Sequence, residues 1–133
     1  MNISYRIQLM CRCCLSFLWL FTAMTSFWWG RNIGYDVLAQ QNIHGALADA
    51  CINAGSFLDM VIGIWALTTY ELKWCYRIQI AVIVSYSILL SIVEPSYWLH
   101  PFGPLTKNLP ILALLFVLLQ TTSATSDNPH NTP

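Results

Sequence analysis

Asp59 and Asp49 are the acids placed where chemistry is most expected, inside an otherwise uncharged, strongly apolar stretch that runs from about residue 45 to residue 70. At 100° per residue, Gly45, Asp49, Asn53, Ser56, Asp59 and Gly63 share one arc about 120° wide. Leu47, Ala54, Leu58, Val61 and Trp65 take the opposite face. If this stretch crosses a bilayer, Asp59 lies near its midpoint, where an ionised carboxylate costs about 2.5 to 3.5 kcal/mol on insertion scales. An acid kept at that cost is a candidate to give or take a proton, or to bind a ligand. The competing reading is that it is a neutral hydrogen-bonding group joining two helices, and for Asp49, nearer the end of the stretch, that it is simply hydrated.

Thiols form a second constellation. Cys11 and Cys14 have the C-x-x-C spacing of a reactive dithiol, and Cys75 falls at the same membrane side. That side is inferred below to be the reducing cytoplasm, where structural disulfides are rare. Small apolar packing or an acylated thiol is the competing reading. Polar groups between the apolar stretches supply a third set. His44, Glu94, His100, Lys107 and Asn108, with Tyr97, Trp98 and Phe102, could cap a pocket opening toward Asp49, Asn53, Ser56 and Asp59. His44, Glu94 and His100 lack the spacing of a recognised metal-ligand pair, so no metal is expected. The aromatic residues equally suit plain anchoring at a membrane interface.

The elements that must carry these residues follow from composition. Of 133 residues, 56% are hydrophobic and 9% charged, against about 25% charged in soluble domains. With a bilayer core about 30 Å thick, roughly 20 apolar residues make one crossing. Four stretches meet that need: residues 13–29, 45–70, 77–93 and 109–124. Lipid-exposed spans satisfy their own backbone, which leaves helices or closed barrels, and there is no two-residue alternation to build a barrel. The expected fold is therefore all-α, an integral membrane four-helix bundle over residues 1–124 followed by a disordered polar tail, 125–133. Asn108 is expected to cap the last helix, with Pro110 in its first turn. The first stretch is longer than a signal-peptide core and lacks a clean small-residue cleavage site.

Basic residues orient the spans. Arg6, Arg12, Lys73 and Arg77 fall on one side, Arg31 and Lys107 on the other, which places both termini in the cytoplasm. Segments 30–44 and 94–108 then lie outside. There is no glycine-rich phosphate loop, no G-x-S-x-G, no H-E-x-x-H and no basic nucleic-acid patch.

The run His100, Pro101, Phe102, Gly103, Pro104, with Lys107, Asn108 and Pro110 ahead of the apolar stretch 111–119, resembles the closing signature of the DoxX-like family of membrane proteins. Arg12 and Trp19, and Gly55, Asp59 and Gly63, add to the resemblance, which covers about residues 6–120. Two departures stand out. Thr25 and Ser26 occupy the place of a Pro-Lys pair found late in the first helix of many relatives, and Asp59 stands where many carry Glu. The missing lysine removes a partner for the acid. The resemblance implies a four-helix bundle in the bacterial inner membrane. Relatives include a thiosulfate:quinone oxidoreductase subunit, partners of redox enzymes, and tails fused to short-chain dehydrogenase or epimerase domains. The expected role is an accessory subunit that docks a redox or envelope partner and binds a quinone or other lipophile at the second-helix arc. A quinone- or thiol-dependent oxidoreductase and a small proton-coupled carrier are the alternatives.

Overall fold

The structure of the chain, a computed structural model, describes residues 3–99 and 105–126, with side chains over 4–99 and 105–122. All regular structure among them is helical. Helix α1 is Ile3–Phe27, α2 Arg31–Ala39, α3 Gly45–Leu67, α4 Leu72–Val93 and α5 Asn108–Ser126, with a 3₁₀ turn at Pro95–Trp98. Three helices are long and apolar enough to cross a membrane: Ser4–Phe27, Gly45–Leu67 and Leu72–Val93. The apolar helix Asn108–Thr122 is shorter.

Four of the expected apolar stretches are helices, with shifted ends. The first helix starts ten residues before residue 13, because Arg12 is buried within it rather than flanking it. The second ends at Leu67, where the Thr68 backbone turns extended. The third begins at Leu72, ahead of Lys73 and Arg77, since Glu71 starts the helix from a left-handed backbone at φ 45°. Asn108 is the first residue of α5, and its side-chain amide donates to Ser87 Oγ. The polar end of α5 stays helical to Ser126, two residues into the segment read as a tail. Segment 30–44, expected as a connection, contains α2.

Contacts divide the chain into two compact units, Met1–Thr69 and Tyr70–Pro133. In the first, α1 packs along α3 and α2 touches both. The buried residues of α1 are Arg12, Leu15, Ser16, Trp19 and Ala23, a stripe at helical spacing. Those of α3 are Ala48, Ser56, Asp59, Ile62, Gly63 and Ala66. Small residues on both stripes let the backbones approach, the usual basis of helix packing in lipid, where burial of apolar surface gives no drive. The approach is tight at Gly63. A Cβ there would stand 2.7 Å from Leu20 Cγ and 3.1 Å from the Leu20 backbone nitrogen, and the Gly63 carbonyl accepts from Ser16 Oγ at 2.7 Å.

In the second unit, α4 packs on α5 and on the 3₁₀ turn. Buried Cys75, Tyr76, Gln79 and Ile83 of α4 and Leu115 and Leu118 of α5 form its core. Asn108 Nδ2 donates to Ser87 Oγ at 2.8 Å, and Trp98 Nε1 to Ser91 Oγ at 2.9 Å, tying the start of α5 and the turn to α4.

Candidate functional site

The arc on α3 is a continuous feature with two characters. Its deep half, Ser56, Asp59 and Gly63, is buried, while Gly45, Asp49 and Asn53 toward the helix start are exposed. Asp59 is 6% exposed and its Oδ1 has no hydrogen-bond partner among the described residues; Ser56 Oγ is in the same condition. A buried polar atom without a partner costs about 1 to 3 kcal/mol, so two of them three residues apart on one face call for an explanation.

Beside them lies a cleft of about 630 Å³ in the first unit. Leu20, Ala23, Met24, Phe27 and Trp28 of α1 and its end line one wall, and Asn53, Ser56, Phe57 and Met60 of α3 the other. The walls are apolar except for Asn53 and Ser56. Volume and lining are those of a small-molecule site, in the range of about 300 to 1,000 Å³.

A polar cluster joins α2 to α3. Arg31 donates through Nη1 to Asn53 Oδ1 at 3.0 Å and through Nε to the Tyr35 hydroxyl at 3.1 Å, and pairs with Asp49 Oδ1 at 3.5 Å. The Tyr35 hydroxyl donates to the same Asp49 oxygen. The guanidinium also sits 5.6 Å from the ring centre of Phe27, a cleft residue, and the same distance from that of Tyr35. The Tyr35 hydroxyl, with the Asp49 carboxylate adding to it, holds the Arg31 guanidinium above its ordinary value against opposing desolvation. The i, i+4 pairs Arg31/Tyr35 and Asp49/Asn53 were the sequence signal for this cluster; Arg31 alone reads only as an orienting charge.

At the other end of α3, Arg12 performs a role that its place near a span end did not disclose. It is 5% exposed. Its Nε donates to the Ala66 carbonyl at 3.1 Å, and Nη2 to those of Leu67, at 3.1 Å, and Thr68. These carbonyls end the helix without intrahelical partners, and a cation there also opposes the negative end of the helix dipole.

Of the residues expected to form one pocket, Asp49, Asn53, Ser56 and Asp59 lie in the first unit. Lys107 and Asn108 belong to the second, where Lys107 is exposed and Asn108 holds Ser87. His100 and the signature residues Pro101, Phe102, Gly103 and Pro104 lie outside the described residues, while Pro110 sits in the first turn of α5. Cys11 is half-buried and Cys14 exposed, one turn apart on α1 and both free thiols. Among the described residues no three His, Cys, Asp or Glu gather to hold a metal ion.

A family model described as DoxX-like family matches residues 16–116, most of the chain. The match takes in the cleft, Asp59 and residues 100–110, and begins after Arg12. No curated protein and no solved structure matches.

Proposed function

The chain belongs to the DoxX-like family of membrane proteins, and from that premise we propose that it is an accessory subunit of a membrane redox or envelope system, binding a lipophile such as a quinone between α1 and α3. The observation that carries this reading is the apolar cleft whose wall includes the unpartnered Ser56, one turn from the unpartnered Asp59. In this reading a protein partner brings the redox chemistry. A short-chain dehydrogenase or epimerase type of protein, or a redox enzyme, is the kind of partner that suits it. The site of action is the bacterial inner membrane, both termini facing the cytoplasm.

Native mass spectrometry with lipid and quinone extraction, on gently solubilised wild type and Asp59→Asn, tests the reading. A lipophile that co-purifies with the wild type supports it, and its loss in the variant would make Asp59 part of the site; an empty protein in both overturns it. The unpartnered Asp59 also favours a second reading, a proton-coupled carrier. Flux in liposomes that stops in Asp59→Asn supports that one. A thiol oxidoreductase would instead lose activity when Cys11 and Cys14 are replaced by Ser.

A further inference from the structure

The chemistry of the cleft narrows what it would hold. No charged side chain among the described residues lines it. Its two polar wall groups are neutral and lie three residues apart on α3, Asn53 toward the start of the helix and Ser56 deeper. Arg31 already donates to Asn53 Oδ1 at 3.0 Å, so the wholly unengaged part of Asn53 is its amide NH2, which offers two donors. Ser56, 6% exposed, has a buried hydroxyl with no partner, behind the cleft wall that this residue helps to line. Both groups can therefore donate to an oxygen in the cleft. The Arg31 guanidinium, at the Phe27 end, already has Tyr35, Asn53 and Asp49 around it. An anionic head would have to compete with the Asp49 carboxylate for it.

Resting on the reading of the cleft as a lipophile site, we infer that its ligand is an uncharged lipophile bearing a carbonyl oxygen, which accepts a hydrogen bond from Ser56 Oγ with the Asn53 amide as a second donor. Charged-headed lipids are discriminated against because their heads would enter a wall that offers no counter-charge. A ring ketone and a glyceride ester share this carbonyl chemistry, and both have the apolar body that Leu20, Met24, Phe57 and Met60 would cover.

The test titrates four probes with a common chain length onto the full chain in micelles, read by native mass spectrometry: a decyl-substituted benzoquinone, a decanoyl monoglyceride, decane and decanoate. At least one carbonyl probe should bind about tenfold tighter than decane, the value of one net hydrogen bond. Ser56→Ala should reduce that probe to the level of decane. This variant removes a hydroxyl that has no partner, so its thermal stability should equal or exceed that of the wild type, which separates lost binding from lost folding. Preference between benzoquinone and monoglyceride identifies the source of the carbonyl.

Carbonyl probes that bind no better than decane, or that are indifferent to Ser56→Ala, overturn the head-group assignment while the cleft remains a lipophile site. Decanoate binding tightest, and losing its advantage in Arg31→Gln, overturns it in favour of an anion on Arg31. Absence of binding by all four probes overturns the lipophile reading itself.

Discussion

Arg12 places a permanent cation where the polypeptide has run out of its own hydrogen-bond donors. Three carbonyl oxygens at the end of α3 receive the guanidinium of α1, so one side chain both ends a helix and fixes the axial register of two. A planar fork with five donors suits that task, and an ammonium does not. Arg12→Met should lower stability by about 2 kcal/mol or more, the range of charge-assisted bonds with their acceptors then left bare. Arg12→Lys should recover only part of it. Thermal unfolding in detergent gives the ranking, and hydrogen exchange in the last turn of α3 should rise in the same order. Asp59 is the opposite case, a charged residue type without a partner. Asp59→Asn keeps its shape, so it should leave the melting temperature within a few degrees of the wild type; a large loss of stability would mark the residue as a structural joint.

At the scale of elements, the contact of α1 with α3 depends on the absence of a side chain at Gly63. Because a Cβ at that position would meet both the side chain and the backbone nitrogen of Leu20, Gly63→Ala should destabilise the pair by about 1 to 3 kcal/mol, the usual range for overpacking. Shortening Leu20 to Ala in the same chain should restore only part, since the backbone contact at 3.1 Å remains. A double-mutant cycle by thermal unfolding measures the coupling. The α2 contact should behave differently. Its Arg31, Tyr35 and Asp49 cluster is substantially exposed, with the Asp49 side chain 52% accessible, and exposed pairs contribute about 0 to 1 kcal/mol and weaken with salt. Asp49→Asn should therefore leave global unfolding nearly unchanged yet speed hydrogen exchange in α2, and added salt should narrow the difference from wild type.

These two contacts also mark what could be read from the residues beforehand. The arc of α3 was legible because one helix obeys one angular period, but only its deep half, Ser56, Asp59 and Gly63, is buried, while Gly45, Asp49 and Asn53 are exposed. The cleft beside it was not, because it depends on which residues of α1 stand opposite. Nor was Arg12, whose acceptors lie 54 to 56 positions away, nor α2, nine residues long and followed by a turn through Gln40, Gln41 and left-handed Asn42.

For the whole molecule the open quantity is parity. Three helices are long and apolar enough to cross a bilayer, and α5 has 19 residues, which span about 28 Å at 1.5 Å each against a core of about 30 Å. Its apolar section ends before the Thr and Ser residues of its last turns, so crossing requires either local thinning of the bilayer or those residues reaching the interface. The apolar side chains favour crossing, because a helix of this hydrophobicity left in water would expose Phe116 and Val117, which are 56% and 57% accessible in the folded chain. An even number of crossings would put both termini on one side, the cytoplasmic one in the orientation proposed from Arg6, Arg12, Lys73 and Arg77. Reporter fusions at each end check both statements together. A fluorescent protein that matures in the cytoplasm should glow at both termini, and alkaline phosphatase, active only outside, should be silent at both. Phosphatase activity at the C-terminal fusion with fluorescence at the N-terminal one would mean that α5 does not cross. The reverse of both signals would mean four crossings with inverted orientation, and would move the Arg31 end of the cleft to the cytoplasmic side.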